Sequence, residues 1–586
     1  MNDDMTRGRS PNRRRVVQML GAGAAASVLL PRLSWASDPA KAAASRPNIV
    51  MIVLDDVGFS DIGAYGSEIK TPNIDALASG GLRYNRFNTC AICSPTRAGL
   101  MTARNPQTVH MEDLPGKGEA PSFSEANAVS GELPLNAQTV AQALQSAGYA
   151  THALGKWHLC PMYKDARERN LQSWPLQRGF DTFYGFLSGH TDQYHPDLVK
   201  DNEELPKPDA PDYHLSVDLV DRAIATMEQE SEDKPKFLYL AFGAAHAPYQ
   251  VPKSYIDAYQ GAYDKGWDAV RQARYERQKQ MGVIPSDTKL PAREAGDAAW
   301  DSLDQQHQRV FARFMETYAG FMTHTDEQIG RLIDALKASG QFDNTLIVLI
   351  TDNGAASEGG ANGGFRTAYA DKTSVAEMDQ ALDEAGSAST YMLYPRPWAY
   401  AGDTPFRRYK LWPFAGGVQT PMIVSWPEQI ADRGAVRPDY VNVIDIAPTF
   451  LEVAGTQFAA NIDGVEQIPI AGQSILGTFF SPNAATREVQ FFELRGNRAI
   501  RQGKWRAVAM HKIGEDFLDD PWQLFDTEAD FSESTDLSKD YPQKLEELKA
   551  LWWSEAKKYT DPQLIKPIDF LYQLNGFGDA FEPVGD

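Results

Sequence analysis

The hydrophobic residues of this chain fall into short unbroken apolar runs that alternate with stretches of helical spacing. Unbroken runs are typical of strands buried on both faces of a parallel sheet. They occupy residues 48–54, 149–154, 236–242, 344–350 and 422–425. Helical spacing predicts helices over residues 71–78, 136–147, 217–229, 306–336 and 443–453. This alternation predicts an α/β fold in which helices cover a mostly parallel sheet.

The pattern changes near residue 480. Short strand candidates separated by turns are followed by a helical stretch, which predicts a small C-terminal α+β domain over residues 481–586 after a larger domain over 37–480. The strand candidates lie at residues 489–492, 499–501, 505–510 and 522–526, and the helix at 543–559. Residues 251–305 are charged, with scattered Tyr and Trp, and are interpreted as an irregular insertion in the larger domain.

The first 36 residues have the composition of an export signal. Arg13-Arg14-Arg15 precedes an Ala/Gly-rich apolar run, and Ser34-Trp35-Ala36 is suitable for cleavage. The arginine cluster favours the twin-arginine route, with a Sec signal as the alternative. No later stretch reaches the ~18 apolar residues of a membrane span. We therefore expect a periplasmic or secreted protein with a signal peptide over residues 1–36 and no membrane span.

Composition narrows the classes of function. The chain has 586 residues, of which 42% are hydrophobic and 11% aromatic, so it can bury a large core. Its formal net charge is −21 and no basic run follows the export signal, which argues against nucleic acid as a partner.

Oxygen ligands follow two of the predicted strands. Asp55-Asp56 comes after the first apolar run and Asp352-Asn353 after the fourth. Adjacent carboxylates at a strand end repel each other unless a cation neutralises them, and ligands collect at the carboxyl ends of parallel strands. Hard oxygen donors suit calcium or magnesium better than zinc or copper; calcium is favoured because its shell tolerates several carboxylates, and magnesium remains open.

Basic and imidazole side chains follow two other strands. Lys156 and His158 come directly after one apolar run, and His246 lies among small residues after another. A surface loop is the alternative interpretation for Lys156 and His158. A structural histidine is the alternative for His246. Position at a strand end is what makes these residues candidates.

A cysteine precedes a predicted helix start at residue 94. Ser94 suits the N-cap and Pro95 the first helical position, which would place Cys93 at the positive end of the helix, with Arg97 one turn further on. Cys90 and Cys93 also form a C-x-x-C pair, which could be a redox pair or half of a zinc site. Only Cys160 remains elsewhere, so no second pair exists for a four-cysteine site.

The run from Cys93 to Ala103 resembles the sulfatase signature, Cys-x-Pro-x-Arg followed by Thr-Gly, with Thr102-Ala103 standing where the family usually has Thr-Gly. The stretch from Thr404 to Lys410, before Gly416-Gly417, is similar to a second sulfatase motif. The resemblance implies a sulfatase of the alkaline phosphatase superfamily, most like the bacterial arylsulfatases. It also implies a large mixed, mostly parallel sheet sandwiched by helices.

The resemblance further implies a role for each candidate residue. Calcium would be held by Asp55, Asp56, Asp352, Asn353 and a formylglycine that a formylglycine-generating enzyme makes from Cys93. Arg97 would orient the aldehyde hydrate, Lys156 and Lys410 would bind sulfate, His158 would contact the hydrate, and His246 would protonate the leaving oxygen. A small-molecule sulfate ester would be the substrate. The alternative is a phosphonate monoester or phosphodiester hydrolase of the same superfamily; a non-catalytic anion- or glycan-binding relative would have lost some of these residues.

Overall fold

The computed structural model describes residues 46–115, 131–161, 170–229, 234–294, 296–367, 371–482, 484–511 and 515–560. These residues belong to one compact unit that begins at Arg46. The predicted export signal, residues 1–36, lies outside the described residues. None of the helices that the structure describes is long and apolar enough to cross a membrane.

The strands of the described residues are as follows. They are β1 (Asn48–Leu54), β2 (Leu82–Tyr84), β3 (Phe87–Asn88), β4 (Ala150–Lys156), β5 (Thr182–Phe186), β6 (Val199–Lys200), β7 (Glu203–Glu204), β8 (Lys236–Ala241), β9 (Thr345–Thr351), β10 (Met422–Ser425), β11 (Ala435–Arg437), β12 (Val441–Asn442), β13 (Asn461–Ile462), β14 (Val465–Glu466), β15 (Val489–Leu494), β16 (Asn497–Gln502), β17 (Trp505–Ala509) and β18 (Trp522–Asp526).

The α-helices of the same residues vary widely in length. They are α1 (Pro72–Ser79), α2 (Cys93–Thr102), α3 (Val140–Ser146), α4 (Leu215–Glu228), α5 (Lys253–Asp257), α6 (Gly266–Gln280), α7 (Gln305–Ala338), α8 (Val375–Gln380), α9 (Arg396–Gly402), α10 (Ala415–Val418), α11 (Ile446–Val453), α12 (Leu476–Phe480) and α13 (Pro542–Tyr559).

A mixed sheet of ten strands forms the centre of the molecule, in the order β11-β2-β10-β9-β1-β8-β4-β5-β6-β7. Its middle strands, β9, β1, β8, β4 and β5, are parallel, and the strands next to them on either side, β10 and β6, are antiparallel to β9 and β5. Side chains alternate between the faces of β1: Val50 and Ile52 enter one core cluster, and Ile49 and Met51 enter the other. Helices α1, α4 and α7 cover the first face, and α2, α3 and α11 the second. The predicted architecture, a large mixed sheet sandwiched by helices, is confirmed.

The C-terminal part has its own antiparallel sheet of four strands, β15-β16-β17-β18. Helix α13 packs on it through Leu548 and Trp552, which are fully buried, and the Trp552 indole N–H donates to the Phe492 carbonyl at 3.0 Å. The sequence prediction of a smaller α+β part is therefore confirmed, while its boundary at residue 480 stays a prediction.

Two sequence predictions were wrong in detail. The segment 251–305 is not irregular, because it contains α5 and the 15-residue helix α6. Helix α6 escaped detection because Arg271, Arg274 and Gln278 are among the residues on its buried face, so its periodicity is not hydrophobic. The second error concerns α2, whose first residue is Cys93 and whose N-cap is Ile92.

Strand register brings four strand ends together. Leu54 is opposite Thr351 in the parallel pair β1–β9, and Gly155 is opposite Ala241 in the pair β4–β8. Because β1 also pairs with β8, the segments that follow β9, β1, β8 and β4 leave the sheet side by side at one edge. The polar residues that the sequence places after these strands therefore meet.

Candidate active site

Three carboxylates meet at the ends of β1 and β9. Asp55, Asp56 and Asp352 are at most 1% exposed, and one oxygen of each lies within 4.8 Å of the others. The Asn353 side chain joins them by donating to Asp56 Oδ1 at 2.7 Å. Asp56 adopts a left-handed backbone with φ 59°, which is uncommon outside glycine. The ends of β1 and β9 thus bring three buried carboxylates together.

Each of these carboxylates is paired with a buried cation. Lys156 Nζ donates to Asp55 Oδ2 at 2.7 Å, and Lys410 Nζ donates to Asp56 Oδ2 at 2.8 Å. Arg97 contacts Asp352 Oδ2 through both Nε, at 3.0 Å, and Nη2, at 2.7 Å. Lys410 is only 3% exposed, so it is a buried residue of this cluster and not a solvated surface lysine.

Cys93 faces this cluster from the first turn of α2. Its Sγ lies 3.3 Å from Nδ1 of His158. Ser94 does not cap the helix, as the sequence had predicted; its hydroxyl instead donates to the His158 carbonyl at 3.0 Å. That bond fixes the loop after β4 against α2, and His158 itself has a left-handed backbone with φ 55°. The N-terminus of α2 and the end of β4 are therefore locked together.

His246 contacts Asp56 from the loop that follows β8. Its Nε2 is 3.4 Å from Asp56 Oδ2, and its Nδ1 is 2.7 Å from the Ala247 carbonyl, so Nδ1 carries the hydrogen that this carbonyl accepts. His190 stacks on the His246 ring, with centroids 5.6 Å apart. Nε2 is thus the nitrogen directed towards the carboxylates.

Burial and charge shift the acidities of these groups. Burial, followed by repulsion from Asp352, raises the pKa of Asp55 well above its usual range. Burial acts in the same sense on Asp56, but Lys410 and His246 outweigh it and hold the pKa of Asp56 below its usual value. Burial raises the pKa of Cys93 to about 11 even though Lys156 and Lys410 oppose it. An unmodified thiol here is therefore protonated near neutral pH and a poor nucleophile.

The two histidines are shifted towards their neutral forms. Burial is the largest cause for both, and Lys156 adds to it, so the pKa of His158 and the pKa of His246 lie well below the usual value. Asp56 partly opposes this shift at His246. A negatively charged ligand beside His246 would act in the same direction as Asp56 and favour its protonated form.

The donor set fits a hard divalent cation. Asp55 Oδ1 and Asn353 Oδ1 are buried and have no hydrogen-bond partner in the part of the chain that the structure describes, although buried polar atoms are nearly always paired. Both are oxygen atoms beside two further carboxylates, which is the ligand chemistry of calcium and magnesium. Asp55, Asp56, Asp352 and Asn353 could therefore hold such an ion.

The structure places all ten residues singled out from the sequence in one connected cluster. Sequence reasoning missed four more: Tyr239, whose hydroxyl accepts from Arg97 Nη1 at 3.1 Å; Glu358, whose carboxylate lies 2.7 Å from Lys410 Nζ; His190; and Tyr391, whose ring packs edge-on against His190. Tyr239 lies inside an apolar strand, where its polar hydroxyl was the available signal. No sequence signal marked the other three.

Taken together, the arrangement can bind a compact tetrahedral anion. It offers two lysines, an arginine, a cation site and a helix N-terminus around one reactive side chain. The histidines on either side, His158 and His246, can move protons. Such a site stabilises charge on an oxyanion while a bond to an oxygen leaving group breaks.

Comparison with protein families matches most of the chain. The model of the sulfatase family matches residues 47–456, and the model described as N-sulphoglucosamine sulphohydrolase, C-terminal, matches residues 409–558. An uncharacterized sulfatase of Schizosaccharomyces pombe is 32% identical over 531 residues, covering 87% of this chain and 94% of its own. An arylsulfatase of Klebsiella aerogenes is 31% identical over 445 residues, covering 73% of this chain and 91% of its own.

Solved structures with the same fold include Ps i-CgsB in complex with k-i-k-neocarrahexaose. It has a TM-score of 0.61 and 24% identity, and the match covers 92% of this chain and 98% of that one. The phosphonate monoester hydrolase of Agrobacterium radiobacter has a TM-score of 0.52 and 19% identity, with 88% and 96% covered. At these identities the two structures support the fold alone.

Proposed function

The chain belongs to the sulfatase family and is a sulfuric ester hydrolase, and we propose that it is an arylsulfatase that uses calcium and a formylglycine made from Cys93. The products are a phenol or alcohol and inorganic sulfate. The observation that supports this most is the meeting of four strand ends with the first turn of α2, which surrounds Cys93 with the groups that a sulfate ester needs.

A calcium ion and a formylglycine complete the proposed site. Calcium, held by Asp55, Asp56, Asp352, Asn353 and modified Cys93, would offset negative charge on sulfate oxygens and polarise the sulfur. Formylglycine, as its hydrate, would supply two hydroxyls on one carbon, one to take the sulfate group and one to drive its release. The formylglycine-generating enzyme is therefore a proposed partner during maturation.

The protein's own cations hold and orient the ester. Lys156 and Lys410 lie at 2.7 Å and 2.8 Å from the carboxylates, so each ammonium is fixed before substrate arrives. This preorganisation lowers the cost of binding the charge that develops on sulfate. Arg97, anchored by Asp352 and Tyr239, keeps the side chain at position 93 aligned from one helical turn away.

The two histidines divide the proton transfers. In the protonated form that a bound sulfate ester favours, His246 gives the proton on Nε2 to the oxygen of the departing alcohol or phenol. His158 Nδ1, 3.3 Å from the side chain at position 93, takes the proton that is lost when sulfate is released. The stacked ring of His190 limits the orientation of His246.

Relative rates on two aryl esters test the proposal. Protein co-expressed with a formylglycine-generating enzyme should have a higher kcat/KM on 4-nitrophenyl sulfate than on 4-nitrophenyl phenylphosphonate. Cys93→Ala should abolish turnover of both. A preference for the phosphonate would instead support the phosphonate monoester or phosphodiester hydrolase.

Export is a separate part of the proposal. The basic and apolar composition of residues 1–36 supports a periplasmic or secreted enzyme that uses the twin-arginine route. N-terminal sequencing of exported protein should find Ser37 first. Changing Arg13-Arg14 to Lys-Lys should block export by that route, and unimpaired export would favour a Sec signal.

A further inference from the structure

Glu358 places a carboxylate beside one of the two proposed sulfate-binding lysines. Its Oε1 lies 2.7 Å from Lys410 Nζ, and the same ammonium is 2.8 Å from Asp56 Oδ2. The side chains of Glu358 and Lys410 are 8% and 3% exposed. A lysine that has to attract an anion is thus held between two carboxylates, only one of which belongs to the proposed metal-binding set.

The second oxygen of Glu358 makes the arrangement unusual. Oε2 is buried without a hydrogen-bond partner among the described residues. No hydrogen-bond donor of the described residues screens the negative charge of the carboxylate at this oxygen, and such buried atoms are rare unless they serve a ligand or a function. Glu358 therefore contributes a negative field close to Lys410 as well as an ion pair.

The loop that carries Glu358 is firmly anchored. Gly364 and Leu393 exchange two backbone hydrogen bonds, of 2.8 Å and 3.0 Å, and the Gly360 carbonyl accepts from the Arg396 N–H at 2.7 Å. This pairing fixes both ends of the short segment that follows Glu358. The backbone of this loop therefore holds the Glu358 carboxylate in place beside Lys410.

We propose that Glu358 selects ligands by charge, favouring singly charged sulfate esters and weakening the binding of doubly charged anions. The proposal rests on the proposed function, in which Lys410 binds the sulfate group. A sulfate monoester carries one negative charge, whereas the product, inorganic sulfate, carries two. A phosphate monoester, whose second pKa is about 6, is also mostly doubly charged at neutral pH.

Coulomb's law gives the direction in which Glu358 changes anion affinity and its relative size for the two charges. The repulsion energy between Glu358 and a ligand is proportional to the ligand charge, so it is twice as large for a dianion as for a monoanion at the same position. The carboxylate thereby weakens product binding more than substrate binding. It also lowers the site's affinity for phosphate monoesters, which have the same shape as sulfate esters.

Anion binding to the calcium-loaded protein measures this selectivity without turnover. Isothermal titration calorimetry with inorganic sulfate and with benzenesulfonate compares a dianion with a monoanion. Glu358→Gln removes the charge and keeps an oxygen for Lys410. Glu384→Gln is the matched control, because Glu384 is an exposed acid paired with Arg366 at 2.7 Å.

We expect Glu358→Gln to tighten sulfate binding relative to benzenesulfonate binding by on the order of tenfold or more, as for a unit charge in a partly buried site. The same variant should show stronger inhibition by inorganic sulfate and a higher ratio of 4-nitrophenyl phosphate to 4-nitrophenyl sulfate turnover. Glu384→Gln should leave each ratio unchanged. A displaced Lys410 would not imitate the result, because losing its positive charge weakens the binding of the dianion more than that of the monoanion and so changes the ratio in the opposite direction.

Two results would overturn the inference. Equal changes in sulfate and benzenesulfonate affinity, or a larger loss of affinity for sulfate, would reduce Glu358 to a positioning residue for Lys410. If Glu358→Gln is unstable, Glu358→Ala is measured in the same way, and an unchanged ratio there has the same meaning. Failure of the proposed function would give a different result from failure of this inference. Wild-type protein would then bind neither anion, or it would not hydrolyse 4-nitrophenyl sulfate.

Discussion

At the scale of single residues, the site is a set of matched buried charges. Asp55 with Lys156, Asp56 with Lys410, and Asp352 with Arg97 each bring opposite charges within 2.8 Å. Removing one member of a buried pair typically costs about 3–5 kcal/mol, because the other is left uncompensated. Substitutions of these six residues should therefore preserve side-chain size and be accompanied by a stability measurement.

His246→Ala should slow esters of poor leaving groups much more than activated ones. An alkyl alcohol needs a proton as it departs, whereas 4-nitrophenolate does not, and general acid catalysis is typically worth about 10²–10⁴-fold. The slope of log(kcat/KM) against leaving-group pKa should become steeper. His195→Ala, which removes an exposed histidine, is the control. Parallel losses across the series would contradict the role assigned to His246.

At the scale of elements, β4 carries Lys156 to the site only because Gly155 lets two strands approach. Gly155 has φ +93°, and a Cβ there would lie 1.8 Å from the Ala241 carbonyl oxygen on β8. The Lys156 carbonyl in turn accepts from Arg97 Nη1 at 3.2 Å. The position of Lys156, a proposed sulfate-binding residue, is thus set by backbone packing inside the sheet.

Gly155→Ala should destabilise the protein by roughly 2–5 kcal/mol, since left-handed strain and a backbone clash add. It should also lower kcat/KM, because Lys156 is displaced. Gly340→Ala is the matched control: its φ is +72°, but nothing lies within 4 Å of the added Cβ, so only about 1–2 kcal/mol of strain is expected. Urea unfolding gives both values. A similarly small loss of unfolding free energy in the two variants would show that β4 and β8 can separate without a large cost.

The hydrophobic pattern of the sequence revealed the central strands but not every helix. Unbroken apolar runs marked β1, β8 and β9, because these strands are buried on both faces, and the polar residues just after them were therefore found. Helix α6 was missed because Arg274, fully buried, pairs there with Asp61 and Glu68 and breaks the apolar pattern. Long-range ion pairs of this kind leave no periodic signal.

At the scale of the whole molecule, distant segments form one site, and the loops decide its details. Glu358 reaches Lys410 because its loop pairs with residue 393, a contact that no local pattern encodes. Cys93 and Arg97 were accessible from sequence because they share one helix with fixed offsets. The family motif and the strand ends thus predict the centre of the site, and loop pairing determines its periphery.

Calcium should stabilise the whole fold, because it relieves repulsion among three buried carboxylates. Ligand binding at about 100 times Kd adds roughly 2.7 kcal/mol. Adding calcium to chelator-treated protein should raise the thermal midpoint and restore activity. Asp352→Asn should lose the calcium-dependent rise, while Asp403→Asn, at another fully buried carboxylate, should keep it. A rise of equal size in Asp352→Asn would place the ion elsewhere.

Mass spectrometry of the tryptic peptide that contains Cys93, residues 87–97, tests most directly whether this sulfatase works through a modified Cys93. This peptide contains both Cys90 and Cys93, so Cys90 is an internal control for alkylation. In active enzyme we predict that iodoacetamide alkylates Cys90, while position 93 carries an aldehyde that reacts with a hydrazide, in proportion to specific activity. Full aryl sulfate turnover by protein in which both cysteines are alkylated as thiols after digestion would contradict the account.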